Sequence, residues 1–100
     1  EEDKLYPLGS YLFDLKGHHL RREDKKTNLT PREAQILQLL YEDKGNVVKR
    51  KDILLQFWGT DDFFASRSLD VFINKLRKCL DDDKSVEIIT IRGEGLKLAF

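Results

Sequence analysis

Basic and amide side chains share one face of a helix that is predicted in the last third of the chain. At 3.6 residues per turn, this face lies roughly 140 to 240 degrees from the apolar stripe of the same helix. Guanidinium and ammonium groups pair with phosphate oxygens, a carboxamide pairs with adenine, and a valine contacts the methyl group of thymine. This chemistry suits the groove of a nucleic acid. The residues of the face are Arg67, Val71, Asn74, Lys75 and Lys78.

The local charge agrees with this interpretation without deciding it. Between positions 67 and 78 there are four basic residues and one acid, Asp70, so the local balance is plus three. A solvated amphipathic helix with ordinary surface charges has the same composition. Both interpretations stay open on these residues alone.

A second candidate contact is the sequence around Arg92. This residue is followed by Gly93, Glu94 and Gly95, which predicts a narrow turn between two apolar segments. Arginine is favoured in a narrow minor groove because the electrostatic potential there is strongly negative. Glu94 would oppose a phosphate, and a plain hairpin turn fits the same residues.

The elements that must position these residues begin with short strands. Tyr11, Phe13 and Leu15 alternate with the period of a half-buried strand, and glycines separate the apolar runs. We therefore expect a small antiparallel sheet over residues 5–29.

Helix signals follow this sheet. Thr30 and Glu33 offer a capping box, which predicts a helix from Pro31 to Asp43 with Gly45 at a left-handed C-cap. A second helix is predicted from Arg50 to Phe57.

The third helix carries the basic face. Ser66 is its predicted N-cap, and the segment from Thr60 to Ala65 is predicted as a loop in which Phe63 and Phe64 are at least partly anchored. The predicted core stripe consists of Leu69, Ile73, Leu76 and Leu80.

The chain closes with a predicted hairpin over residues 84–100. Val86 to Ile91 is β-branched and apolar, and Leu96, Leu98 and Phe100 alternate after the turn. Strands, then three helices, then a hairpin predict a single α+β domain, with the helices within residues 30–83.

The overall composition excludes several classes of protein. Lys plus Arg equals Asp plus Glu at 18 each, so only local clustering supports a polyanionic partner. The acidic start at residues 1–4 and the lack of a long apolar run predict neither a signal peptide nor a membrane span, so we expect a cytoplasmic protein. Neither His18-His19 nor Cys79, the lone cysteine, has partners at metal-ligand spacing. We expect Cys79 to be half-buried, with a redox switch as the alternative.

Motifs of catalysis do not occur in the sequence. It contains neither Gly-x-Ser-x-Gly nor a phosphate-cradling glycine loop. We therefore expect no enzyme activity, cofactor, metal or small-molecule substrate.

Four segments together resemble the winged-helix effector domains of OmpR/PhoB-type response regulators. TPRE at 30–33 with ILQLL at 36–40, and RKDIL at 50–54 with WG at 58–59, are similar to the first two helices of that family. RSLDVFINKLRK at 67–78 is similar to its recognition helix, and ITIRGEGL at 89–96 resembles its wing. The resemblance covers nearly the whole chain.

The resemblance implies a winged helix-turn-helix with an N-terminal four-stranded antiparallel sheet, three helices and a C-terminal hairpin wing. It places the third helix in the major groove and Arg92 of the wing in the minor groove. Bases would face Val71, Phe72 and Asn74. The residues that would hold phosphates are Arg67, Ser68, Lys75, Arg77 and Thr90.

The same resemblance implies partners. Promoter DNA would be bound by a head-to-tail pair on direct half-sites, a phosphate-accepting receiver domain would precede this domain, and residues 1–4 would be the remnant of the linker. The segment before the third helix resembles a loop that contacts RNA polymerase in some members, and a loop that merely packs is the alternative. Its candidate residues are Asp61, Asp62, Phe63 and Phe64.

The sequence also departs from the family pattern. Phe72 stands where a polar residue is common, Asn74 where arginine is common, and Leu96 where the wing usually has an aromatic residue. These departures predict an altered base preference. Together with zero net charge and Glu94 on the wing, they leave open a winged-helix module that binds protein and not DNA. An RNA-binding domain would need stacking aromatics exposed on a sheet, and the sequence does not indicate them.

Overall fold

The computed structural model describes residues 5–100, so the predicted linker remnant at 1–4 lies outside the described residues. The chain starts with an antiparallel sheet in the order β1-β2-β3-β4. Tyr11 and Phe13 are buried on its inner face, as the alternation predicts, whereas Leu15, the third residue of that pattern, lies beyond the end of β2 and is half-buried. The strands are β1 (Leu5–Leu8), β2 (Tyr11–Asp14), β3 (His19–Arg22) and β4 (Lys25–Asn28).

Helix α1 (Pro31–Glu42) begins at the predicted capping box. The Thr30 hydroxyl accepts a hydrogen bond from the backbone N of Glu33 at 3.2 Å, and the Glu33 carboxylate accepts one from the backbone N of Thr30 at 2.8 Å. The C-cap is Asp43, with φ −115°. Gly45, the predicted C-cap, does have a positive φ of 83°, but it lies two residues beyond the observed cap.

Helix α2 (Arg50–Trp58) ends one residue later than predicted, at Gly59 in the left-handed conformation. Helix α3 (Phe63–Cys79) begins earlier than predicted, since its N-cap lies four residues before the predicted cap, Ser66. Its N-cap is Asp62, whose carboxylate accepts a hydrogen bond from the backbone N of Ala65 at 2.9 Å. Ala65 is buried one turn before Leu69, so the core stripe extends further than the larger apolar residues indicate.

The predicted loop from Thr60 to Ala65 is therefore wrong in its second half. Phe63 and Phe64 form the first turn of α3, and their side chains are 65% and 78% exposed, so the predicted anchoring is wrong as well. The predicted core stripe of α3 is confirmed, since Leu69, Ile73 and Leu76 and, just beyond the helix, Leu80 are all buried.

The predicted C-terminal hairpin consists of β6 (Glu87–Ile91) and β7 (Gly95–Ala99), with Ile91 opposite Gly95. A third strand, β5 (Val48–Lys49), pairs with β7 and was not predicted, because two residues are too few to show a period. A Cβ added at Gly95 would lie 2.0 Å from the carbonyl oxygen of Val48. Glycine at this position therefore allows β5 to pair with the base of the wing.

One apolar core joins the two sheets and the helices. It contains Phe13 of the first sheet, Leu37 of α1, Leu69 of α3 and Leu98 of β7, all fully buried. No helix within residues 5–100 combines the length and the apolar character that crossing a bilayer requires.

The first sheet is also tied to the segment that follows α3. Lys25 forms an ion pair with Asp82 at 2.8 Å. The backbone N of Ser10 donates to the carboxylate of Asp83 at 2.8 Å, and the backbone N of Asp82 donates to the Tyr11 hydroxyl at 3.1 Å. These contacts hold the C-terminal end of α3 against the sheet.

Candidate nucleic-acid interface

The five residues of the predicted polar face of α3 are all exposed in the structure. Val71 is a large apolar side chain with 57% of its surface open to solvent, and it lies between cationic side chains. Because the stripe from Ala65 to Leu76 fixes the rotation of the helix, the opposite face must point outward.

Ser68 and Phe72 flank this face, and both are half-buried. The ring of Phe72 packs against Trp58 of α2, with centroids 5.8 Å apart and planes at 59°. This position differs from the base contact that the resemblance implies for Phe72. Its large apolar ring gains more from packing between the two helices than from exposure to water.

Lys75 and Lys78 lie along the exposed side of α3. The Lys75 ammonium is 4.0 Å from a carboxylate oxygen of Glu33, the residue that caps α1. Lys75 is 62% exposed, so solvent screens this pair strongly and the ammonium remains accessible to another anion.

Arg77 does not extend freely into solvent. Its Nε donates a hydrogen bond to the carbonyl oxygen of Ile88 at 3.1 Å, and its Nη2 donates to the Thr90 hydroxyl at 2.7 Å. Both acceptors belong to β6. The structure therefore joins two residues for which the resemblance implies phosphate contacts.

Arg50 is a member of the site that sequence reasoning missed. It begins α2, and its Nη2 donates to the Ser66 carbonyl at 2.8 Å, to the Ser66 hydroxyl at 2.7 Å and to the Asp70 carboxylate at 2.7 Å. The cation lies beside the single acid of the exposed helix segment, so it offsets a charge that would repel phosphate. Only Asp70, an isolated acid in a basic segment, could have signalled such a partner.

A concavity lies between α3 and the base of the wing. It is lined by Arg50, Asp70, Asn74, Arg77 and Thr90, with Ile73 and Leu96 beneath them. The fold thus brings the predicted amide of Asn74 into one surface with the hydroxyl of Thr90.

The wing tip is the turn between β6 and β7. Arg92, Gly93 and Glu94 are exposed, and Gly93 has a φ of 77°, which only glycine adopts readily. The carbonyl oxygen of Glu94 accepts a hydrogen bond from the backbone N of Arg50 at 3.2 Å. The turn is therefore supported at its base by the start of α2, while the Arg92 side chain stays in solvent.

The acidic and aromatic segment before Ser66 is a surface feature. Asp61 is exposed and Asp62 is the cap of α3. The rings of Phe63 and Phe64 contact each other edge to face, with centroids 5.6 Å apart, and the Arg67 guanidinium lies 5.5 Å from the centroid of Phe63. This segment borders the N-terminal end of the exposed face.

The remaining candidate groups are the histidines of the first sheet and the cysteine at the end of α3, which shares a surface hollow with Lys75 and Lys78. His19 is buried with its Nε2 3.6 Å from the Asp14 carboxylate, and no group of three metal-ligating side chains occurs among the residues that the structure describes. Cys79 is half-buried, as predicted. Burial raises the pKa of its thiol, and the charge of Glu33 raises it further.

Comparison with known proteins identifies the family to which the chain belongs. The sequence model of the family described as "Transcriptional regulatory protein, C terminal" matches residues 24–98. The transcriptional regulatory protein RprY of Bacteroides fragilis is 42% identical over 98 residues, which are 98% of this chain and 42% of RprY. The chain therefore spans about two fifths of the length of this curated relative.

Solved structures agree with the sequence comparison. The response regulator DrrB of Thermotoga maritima, an OmpR/PhoB homolog, superposes with a TM-score of 0.78 at 32% identity and covers 96% of this chain and 44% of DrrB. The DNA-binding domain of Klebsiella pneumoniae RstA, solved in complex with the RstA box, gives a TM-score of 0.77 at 26% identity and covers 96% of this chain and 97% of that domain.

Proposed function

Because the chain belongs to the OmpR/PhoB-type family of transcriptional regulatory protein C-terminal domains, we propose that it binds double-stranded promoter DNA and controls transcription as the output domain of a two-component response regulator. The observation that carries the proposal is the exposed face of α3, which presents cations around Val71 and Asn74 and is bordered by the wing. An α-helix fits the major groove, where each base pair shows a distinct pattern of donors and acceptors.

In the proposed complex α3 lies in the major groove. Val71 and Asn74 face the bases, because both are short enough to let the helix approach. Val71 stands near the centre of the exposed face, and Asn74 stands at its edge beside the wing. The phosphates on either side are held by Arg67, Ser68, Lys75 and Lys78. Arg77 and Thr90 belong to the same surface, but their side chains are already hydrogen bonded to each other.

Arg92 is proposed to enter the adjoining minor groove. The tip around it is narrow, since a glycine follows it and the turn has only three residues. A guanidinium there is attracted by the negative potential of the groove.

The zero net charge of the chain is compatible with this proposal. Coulombic attraction to DNA depends on the charges that face the duplex, because charges further away than about 10 Å are screened at ordinary salt concentrations. On the proposed surface, the ion pair of Arg50 with Asp70 offsets an acidic charge that would otherwise weaken the positive potential.

The whole protein is proposed to act in the cytoplasm and to carry a receiver domain, in keeping with the 42% of RprY that this chain spans. Phosphorylation of the receiver would promote head-to-tail pairing on direct half-sites. Exposure of Asp61 and of the rings of Phe63 and Phe64 supports a contact of this segment with RNA polymerase, with Asp62 holding the segment in place as the helix cap.

The test is selection of the chain on a random duplex library, followed by fluorescence anisotropy titrations at several salt concentrations. We expect enrichment of a repeated half-site and a steep fall of affinity with salt, since each neutralised phosphate adds about 0.9 to the slope of log K against log salt. If no duplex is enriched at low salt, even with two copies of the chain linked, the surface serves a protein partner and the proposal fails.

A further inference from the structure

We propose that Arg77 is a positioning residue, which fixes the wing relative to α3 so that Arg92 and the recognition face engage DNA together. The inference rests on the proposed DNA-binding function. It assigns Arg77 a role different from that of a phosphate ligand, the role that its place in the recognition helix would give it.

The geometry around Arg77 is that of a clamp between two elements. Its guanidinium uses one donor for the carbonyl oxygen of Ile88, at 3.1 Å, and another for the hydroxyl of Thr90, at 2.7 Å. One guanidinium reaches both acceptors, a backbone carbonyl of β6 and a side-chain hydroxyl two residues further along the same strand. A planar guanidinium with donors in fixed directions matches such a pair, whereas a single ammonium on a flexible stem does not.

The clamp acts at the point where the wing leaves the body of the domain. Ile88 is buried, Thr90 is exposed, and Arg92 follows Thr90 by two residues, at the start of the turn after β6. Movement of this strand relative to α3 therefore moves the Arg92 guanidinium. Because α3 and the wing are proposed to occupy neighbouring grooves, their spacing must be set before binding if both are to contribute fully.

The strand has few other restraints on this side. Among the residues that the structure describes, β6 is an edge strand that pairs with β7 and contacts α3, and Ile88 is buried. The Arg77 bonds are the side-chain hydrogen bonds that join α3 to β6 among the residues described. Loss of the clamp should therefore loosen the wing without unfolding the domain.

The experiment compares Arg77→Lys and Arg77→Ala with Lys78→Ala, a change at an exposed cation of the same helix. The first readout is amide hydrogen exchange of residues 88–91 without DNA. The second is the effect of Arg92→Ala on affinity for the duplex recovered by selection, measured in each background. Far-UV circular dichroism and thermal unfolding confirm that every variant is folded.

We expect exchange at residues 88–91 to accelerate in both Arg77 variants and to stay unchanged in Lys78→Ala. In the parent chain and in Lys78→Ala, the Arg92→Ala change should weaken binding roughly tenfold. In both Arg77 backgrounds it should weaken binding by less than about twofold, because Arg92 then no longer reaches its groove in a fixed position.

Arg77→Lys distinguishes a positioning residue from a phosphate ligand. Lysine keeps the positive charge of arginine but lacks the planar guanidinium that donates two hydrogen bonds in fixed directions. If this variant retains the parent's exchange protection and the full effect of Arg92→Ala, Arg77 acts as a phosphate ligand and the inference is overturned. If the parent chain binds no duplex, the proposed function and this inference both fail. If amide exchange is nevertheless faster in Arg77→Lys, the clamp is a purely structural contact.

Discussion

At the scale of single residues, the exposed face of α3 combines side chains proposed to hold phosphates with side chains proposed to read bases. Lys75 and Lys78 are long cations that reach phosphates in many geometries, whereas Asn74 has a short side chain with one donor group and one acceptor. Asn74 also lines the concavity beside the wing, where it lies next to Asp70 and Arg77. Sequence preference is therefore expected to depend on Asn74 more than on the lysines.

Replacing Asn74 with alanine should change which base is preferred at one position of the half-site. The variant loses the amide that pairs with adenine, so its affinity for the original duplex should fall by about 1 to 3 kcal/mol. The measurement is a repeat of the duplex selection, followed by titrations on the original and the newly selected sequences.

Gln35→Ala is the matched control for this change. Gln35 is an exposed amide on α1, outside the face of α3 that bears Asn74. It should leave the selected sequence unchanged. An Asn74→Ala variant with the same base preference as the parent chain would show that Asn74 does not read a base.

The residue scale also shows where prediction from sequence succeeds and where it ends. The exposure of Val71 and Asn74 was predictable because their angle to the core stripe depends only on helical geometry. The contact of Phe72 with Trp58 and that of Arg77 with Thr90 were not, because each joins residues more than ten positions apart in sequence.

At the scale of elements, the start of α3 determines how the interface begins. The helix opens at Asp62, so the first turn contributes two exposed rings beside Arg67. Sequence periodicity located the buried stripe correctly but placed the N-terminus too late, since Ala65 is a weak apolar signal.

Asp62→Ala should lower the free energy of unfolding by about 1 kcal/mol, because the backbone N of Ala65 loses its capping acceptor. Urea denaturation followed by circular dichroism measures the change. Asp62→Asn should recover most of the loss, since asparagine is also a good N-cap.

Asp61→Ala serves as the control for the loss of an acid in the same segment. Asp61 is exposed and does not cap the helix, so its replacement should change stability little. Equal effects of Asp61→Ala and Asp62→Ala would contradict a helix that begins after Asp62.

At the scale of the whole molecule, ion pairs and hydrogen bonds join the first sheet to the end of α3. Hydrogen bonds from Ser85, then from Ser10, hold the pKa of Asp83 well below its ordinary value of 3.8. The hydrogen bond and charge of Lys25 lower the pKa of Asp82. Both acids are therefore more stable as carboxylates in the folded chain than in the unfolded chain.

The stability of the domain should fall as the pH is lowered below about 4. A carboxyl group with a lowered folded pKa contributes fully above its unfolded pKa, and its contribution is lost as the pH falls toward the folded pKa. Thermal unfolding between pH 7 and pH 2 measures this dependence. Asp83→Asn should lower the midpoint temperature of unfolding at pH 7. It should also reduce the fall of that midpoint as the pH becomes acidic.

Asp24→Asn provides the comparison, because Asp24 is an exposed acid in the turn between β3 and β4. As a surface substitution it should leave the midpoint of thermal unfolding at pH 7 close to that of the parent chain. If Asp83→Asn retains the same acidic decline as the parent chain, the link between the first sheet and the end of α3 does not depend on the charge of Asp83.

The sequence alone determined the features that depend on neighbours within a turn or two. These are the capping box that begins α1, the buried stripe and exposed cations of α3, and the closing hairpin, because helical and strand periods are local properties. Tertiary structure decided the contacts between elements, since their partners are set by how the helices and sheets pack. Those contacts are the clamp of Arg77 on β6, the hold of Arg50 on Ser66 and Asp70, the packing of Phe72 on Trp58 and the pairing of β5 with β7.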